Sequence, residues 1–235
     1  MTDRLERVFP YVLLATTILP LVVVHGMLYP FVAPKTILLR GLAVIALALF
    51  SYLALSGRLF FFSRLRNPLT WIPGILLIIA FVSTAMSADF YHWFWSNFDR
   101  GDGILTLASI TTLYYLVLVQ SGKQFFSQFL RMTAFTGSLV AIYAGLQWIS
   151  VVFAIYIPFV KISAGRIGST LGNAAFLAAY LGMTFFLTLI VARSLQGGWK
   201  KIAYAGAVLQ ILGIFITATR GTFVALIVSG ILALI

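Results

Sequence analysis

The chain has 235 residues, 62% of them hydrophobic and only 9% charged, with a mean hydropathy of +1.06. Soluble domains are about 45–50% apolar and about 25% charged, so an ordinary soluble domain is excluded, as is disorder, which needs low hydrophobicity. The net charge of +11 is scattered between apolar stretches, a pattern of cytoplasmic loops and lipid head groups rather than of a nucleic-acid surface.

The expected class is an all-α polytopic transmembrane bundle forming a single membrane domain over residues 1–235. A spanning helix needs about 20 mainly apolar residues, and eight stretches qualify as spans. The first, residues 8–31, is too long for a signal-peptide core and has no clean cleavage site, so it reads as a retained helix. The second, 36–54, carries Arg40 just inside it, either snorkelling to head groups or meeting a substrate phosphate. The third is 68–86. Between it and the fourth, 103–120, lies a segment crowded with Phe90, Tyr91, Trp93, Phe94, Trp95 and Phe98. Such a segment suits an interfacial helix. It ends in Asp99, Arg100 and Asp102, which read as a local ion-pair network or as the rim of a lipid-linked or sugar substrate site.

Residues 123–131 alternate phenylalanines with charges and read as a short amphipathic helix on the inner surface. The fifth span, 132–157, contains Gln147, an amide expected to hydrogen-bond another helix. The sixth is 171–192 and the seventh 202–219. The eighth starts at Gly221 and is still apolar at Ile235, so the chain is expected to be the N-terminal part of a longer protein. There is no cysteine, and the only histidines are His25 and His92. Thiol chemistry is excluded, and no metal site or cofactor is expected.

Loop charge sets orientation. Arg4, Arg7, Arg58, Arg64, Arg66, Lys123, Arg131, Arg193, Lys200 and Lys201 fall on one side, so the N-terminus is expected in the cytoplasm. Lys35, Arg40, Arg100, Lys161, Arg166 and Arg220 fall on the outer side, where the charge rule does not account for them.

Two outer segments share a pattern of arginine, glycine and hydroxyl residue at a helix start. The first is Gly165-Arg166-Ile167-Gly168-Ser169-Thr170-Leu171-Gly172-Asn173, where Ser169 or Thr170 is expected to cap the sixth helix. The second is Thr217-Ala218-Thr219-Arg220-Gly221-Thr222. A helix N-terminus carries unpaired N–H groups and partial positive charge, and an arginine beside it makes an anion site to which phosphate is suited. Together the two segments could clamp a diphosphate. The plainer readings are a cap with an interfacial arginine for the first and a helix-boundary arginine for the second.

The stretch from Arg166 to Asn173, followed by a small-residue apolar helix, resembles the Arg…Gly-Asn motif of the bacterial O-antigen ligase and O-antigen polymerase superfamily. Ala174 and Ala175 stand where that family has Pro-Asn. Thr219-Arg220-Gly221 is similar to its Ser-Arg-Gly signature, and Arg100-Gly101-Asp102-Gly103 with Leu105 is similar to an upstream Arg-x-x-Gly-x-Leu stretch. The resemblance implies an inverting, metal-independent glycosyltransferase of the bacterial inner membrane. Such an enzyme moves a glycan from undecaprenyl diphosphate to an acceptor hydroxyl or amide on a glycolipid, glycan or protein at the periplasmic face. Arg166 and Arg220 would be its catalytic arginines. Arg40, Arg100, Ser169, Thr170, Asn173 and Thr222 would bind substrate, and a histidine would come from a later outer loop. The alternative is a transporter or flippase of an anionic lipid-linked substrate, which would use the same arginines without bond chemistry.

Overall fold

The computed structural model describes every residue except Met1, Leu59, Phe98, Ser121, Phe159, 161–165 and 233–235. Lys161, Gly165 and Phe98, part of the sequence readings above, therefore lie outside the described residues. The described residues form helices and connecting turns, with no strand among them. In order these are α1 (Thr2–Ala15), α2 (Ala33–Leu55), α3 (Ile72–Ala85), α4 (Phe90–Trp95), α5 (Ile104–Gln120), α6 (Lys123–Val152), α7 (Ala174–Ser194), α8 (Gly197–Ile216) and α9 (Arg220–Leu232).

Among the described residues, five helical stretches are long and apolar enough to cross a bilayer, against the eight expected: Ala33–Leu55, Pro68–Ala85, Lys123–Val152, Ala174–Ser194 and Gly197–Ile216. The first expected span is not one helix. After α1 the chain tightens into a 3-10 turn at Thr16–Leu21. Thr16 and Thr17 donate to the Leu13 and Leu14 carbonyls at 2.6 and 2.8 Å, and Pro20 brings no N–H to continue the ladder. The 17 residues of α5 rise only about 25 Å, short of the roughly 30 Å hydrocarbon core.

Residues 123–131 are also not a separate surface helix. They are the first turns of the 30-residue α6, because neither proline nor glycine stands between Lys123 and Thr136 to end a first helix. The helix ends at Val152 rather than at 157: Ala154 takes a left-handed φ of 51°, and Ser150 donates to the Ile155 carbonyl at 2.7 Å.

The chain divides into two compact units: Met1–Leu19 with Val23–Gln128, and Pro20–Val22 with Phe129–Ile235. In the first, α5 packs on α2 and α3, and α1 packs on α2. Arg58, just past α2, ties one end together. It donates to the Glu6 carbonyl and to Gln120 Oε1 and lies 5.1 Å from the Phe60 ring centroid.

In the second unit, α7 lies against α8, and Val140, Ala141, Ala144, Leu177, Leu181 and Ile214 form a shared core. Gln210 of α8 is also fully buried. Its Nε2 donates to Thr188 Oγ1 at 3.0 Å and to Ser138 Oγ at 3.2 Å, joining α8 to α7 and α6. Both hydroxyls also donate within their own helices, to Thr184 O and Ala134 O. Gln210→Leu therefore strands no hydroxyl, and the expected loss is that of ordinary interhelical bonds, about 0.6–1.7 kcal/mol. Gln210→Ala adds a cavity and is expected to lose more. Unfolding in mixed micelles distinguishes the two, and equal losses would show that hydrogen bonding rather than packing holds this layer.

Candidate functional site

The loop before α7 is pinned to α6. Ser169 takes a left-handed φ of 51° in a short 3-10 turn, which lets its N–H reach Gln147 Oε1 at 2.7 Å and its hydroxyl donate to the Val140 carbonyl at 2.7 Å. Gln147 thus serves this loop's backbone. Ser169 is fully buried and Thr170 nearly so. Gly168 is where the loop folds on itself, since a Cβ there would meet the Asn173 nitrogen at 2.6 Å.

The cap of α7 is not Ser169 or Thr170. Asn173 has the extended backbone of a cap (φ −138°, ψ 130°), and its Oδ1 accepts the Ala175 N–H at 2.8 Å. The left-handed Gly172 delivers it there, while both hydroxyl residues are already drawn into the bundle. The first-turn N–H of Ala175 is consequently occupied rather than open to an anion.

Arg166 emerges exposed from this loop and crosses to the end of α8. Its Nη2 donates to the Thr217 carbonyl at 2.7 Å, the Ala218 carbonyl at 3.1 Å and Thr219 Oγ1 at 3.2 Å. A helix end leaves its last carbonyls without partners and carries partial negative charge, so a guanidinium is well placed there. Thr217, almost fully buried, tightens the same turn by donating to the Ile214 carbonyl, and Ala218 is left-handed at φ 50°.

This turn delivers Arg220 to the first position of α9, exposed and with no hydrogen-bond partner among the described residues. The two arginine segments are far apart in sequence, yet Arg166 touches the residue adjoining Arg220. Asn173 is exposed and Thr222 half-buried. From Gly221 and Thr222 a groove of about 320 Å³ runs between α9 and α7, past Gly182, Met183 and Phe186 to Ser229. Its walls are small or apolar, apart from the hydroxyls of Thr222 and Ser229.

Arg40 and Arg100 belong to the other unit. Arg40 Nε and Nη2 donate to Thr106 Oγ1 at 3.0 and 2.7 Å, and Nη2 also reaches the Trp95 carbonyl at 3.1 Å. Arg100 is exposed in the turn after α4. The neighbouring Asp102 accepts from Ser96 Oγ at 2.6 Å, so its carboxylate is engaged within that turn. No group of three or more His, Asp or Glu side chains close enough to hold a metal ion occurs among the described residues. No protein-family model, curated protein or solved structure matches the chain.

Proposed function

We propose that the chain is the arginine-bearing part of a membrane glycosyltransferase of the O-antigen ligase type, moving a glycan from undecaprenyl diphosphate to an acceptor at the periplasmic face of the bacterial inner membrane. The observation that carries this reading is the contact of Arg166 with the Thr217–Thr219 turn, which gathers both arginine motifs at the start of α9. Breaking the bond between the anomeric carbon and the diphosphate leaves negative charge on the departing oxygens. Fixed cations aimed there stabilise that charge without reorganising. In this reading Arg220 meets the diphosphate, Arg166 holds the turn and adds positive charge beside it, and the α7–α9 groove takes the first isoprene units. Ser169 and Thr170, being buried, shape the loop instead of touching substrate. The acceptor's proton goes to a base from elsewhere in the enzyme, for which the resemblance names a histidine.

The test uses membranes carrying the intact gene product, supplied with labelled undecaprenyl-diphosphate glycan. Transfer yields glycosylated acceptor and free undecaprenyl diphosphate in equal amounts. Intact glycolipid arriving in the opposite leaflet, with no cleavage, would replace this reading with a translocator. The groove has its own test in Gly182→Leu. A Cβ at Gly182 would lie 3.7 Å from Thr222 Cγ2, an ordinary contact, whereas the larger side chain fills the groove. The expected result is a KM raised about tenfold for the long-chain donor with kcat kept, the signature of lost uniform binding. A short-prenyl donor is expected to be unaffected, and an equal change for both donors would remove the groove from the substrate path.

A further inference from the structure

Within the first unit, a cavity of about 260 Å³ lies between the N-terminal part of α2 and the aromatic α4. Its walls are fixed by close approaches. The turn after α4 sits directly on α2, where left-handed Gly101 leaves no room for a side chain against Thr36. Gly103 is packed as closely, since a Cβ there would meet the Phe94 carbonyl oxygen at 2.7 Å.

Arg40 lines this cavity, held from behind by Thr106 and the Trp95 carbonyl. Both partners are neutral. Among the described residues no carboxylate meets the guanidinium, and its Nη1 has no hydrogen-bond partner. Arg40 is two helical turns inside a membrane-spanning segment, where an uncompensated charge is expensive and marks a functional site. Opposite it stand the rings of Tyr91 and Trp95, 6.3 Å apart between centroids and both exposed. Small-ligand pockets begin at about 300 Å³, so this volume suits a head group rather than a whole glycan.

We propose that this cavity binds a phosphate ester with a small hydroxylated head, the phosphate taken by Arg40 and the head covered by Tyr91 and Trp95. The source of the ester is either a lipid head group or a soluble phosphate ester. This site lies wholly within one unit and its test reads binding, so it stands apart from the transfer reaction proposed above.

The test is calorimetric titration of the purified full chain in uncharged detergent with three probes: glycerol 1-phosphate, dihexanoyl phosphatidylglycerol, and dihexanoylglycerol, which lacks the phosphate. Binding of both phosphorylated probes, or of either alone, is the expected result, and the pattern identifies the source. Arg40→Ala is expected to weaken that binding by about tenfold or more, the value of a charge-assisted hydrogen bond. Should that variant fail to fold, Tyr91→Ala serves in its place, since Tyr91 is 75% exposed; a severalfold loss is expected. The proposal is overturned if neither phosphorylated probe binds or if dihexanoylglycerol binds as well as they do. It is also overturned by unchanged affinity in Arg40→Ala, or in Tyr91→Ala where that variant is used instead.

Discussion

Arg220→Ala is expected to slow glycan transfer by about 10²–10³-fold while leaving the fold untouched, and Arg166→Ala to damage both. The difference follows from what each guanidinium does. Arg220 is exposed and makes no hydrogen bond among the described residues, so its removal withdraws only positive charge from the start of α9. Deleting one donor aimed at a developing oxyanion typically lowers kcat by about 10²–10³-fold, and a loss of that size is expected here. Arg166 satisfies two carbonyls and a hydroxyl at the end of α8. Its loss leaves those acceptors to water and loosens the turn that aims Arg220. A fall of a few degrees in unfolding temperature is expected together with the loss of transfer. Lysine separates the two roles, because it keeps charge but not the planar fork. Arg166→Lys is expected to recover most of the thermal stability and little of the transfer. Transfer that survives alanine at both positions, with protein levels checked, would reduce the pair to interfacial anchors and overturn their role at the diphosphate.

The bilayer selects on length and apolarity, and those properties are written locally in the chain. This is why α2, the 68–85 stretch, α7 and α8 fall close to where the apolar runs predict them, while α6 begins nine residues before its apolar run and ends five residues short of it. Their boundaries are local too: Pro34 and Pro68 open helical stretches, and left-handed Gly197 stands at the start of α8. What the sequence did not reveal depends on partners far along the chain. Ser169, Thr170 and Asn173 are all plausible caps by residue type. Asn173 takes the role only because Gln147 and the Val140 carbonyl, both on α6, claim Ser169. The pattern of arginine, glycine and hydroxyl residue reads as an anion site at Arg166. Its contact with α8, 51 residues away, leaves no local mark. Gln210 is a lone amide in an apolar run, and a polar residue at that depth is itself a signal that another helix faces it. The break in the first span was visible in outline as the Thr16-Thr17 pair with Pro20 beyond it, two hydroxyls able to bond backward and one missing donor.

The packing of α6 against α7 yields the second large effect. Lipid tails are as apolar as the helices, so helices in a bilayer associate through close approach of small residues. Gly137 is such a point: a Cβ there would lie 2.8 Å from Thr184 Cβ, 2.7 Å from its Oγ1 and 3.0 Å from Gln210 Nε2. The obstructing atoms are not all flexible tips, since a β-carbon moves only with its backbone. Gly137→Ala therefore has to push the helices apart, against the gain in helix propensity that alanine brings elsewhere. A net loss of about 1–3 kcal/mol is expected, the usual range for overpacking. Gly137→Leu is expected to keep the second unit from assembling, read as loss of folded protein in detergent. The decisive variant exchanges the two sides of the contact. Gly137→Ala combined with Thr184→Gly restores the clearance that the first change removes, although it loses the Thr184 hydroxyl and places a glycine in α7. If the steric account holds, the double variant is more stable than the sum of the single changes predicts, with a coupling of about 1–2 kcal/mol. Additive losses would mean that α6 and α7 are free to separate, and that Gly137 is at this position for some reason other than clearance.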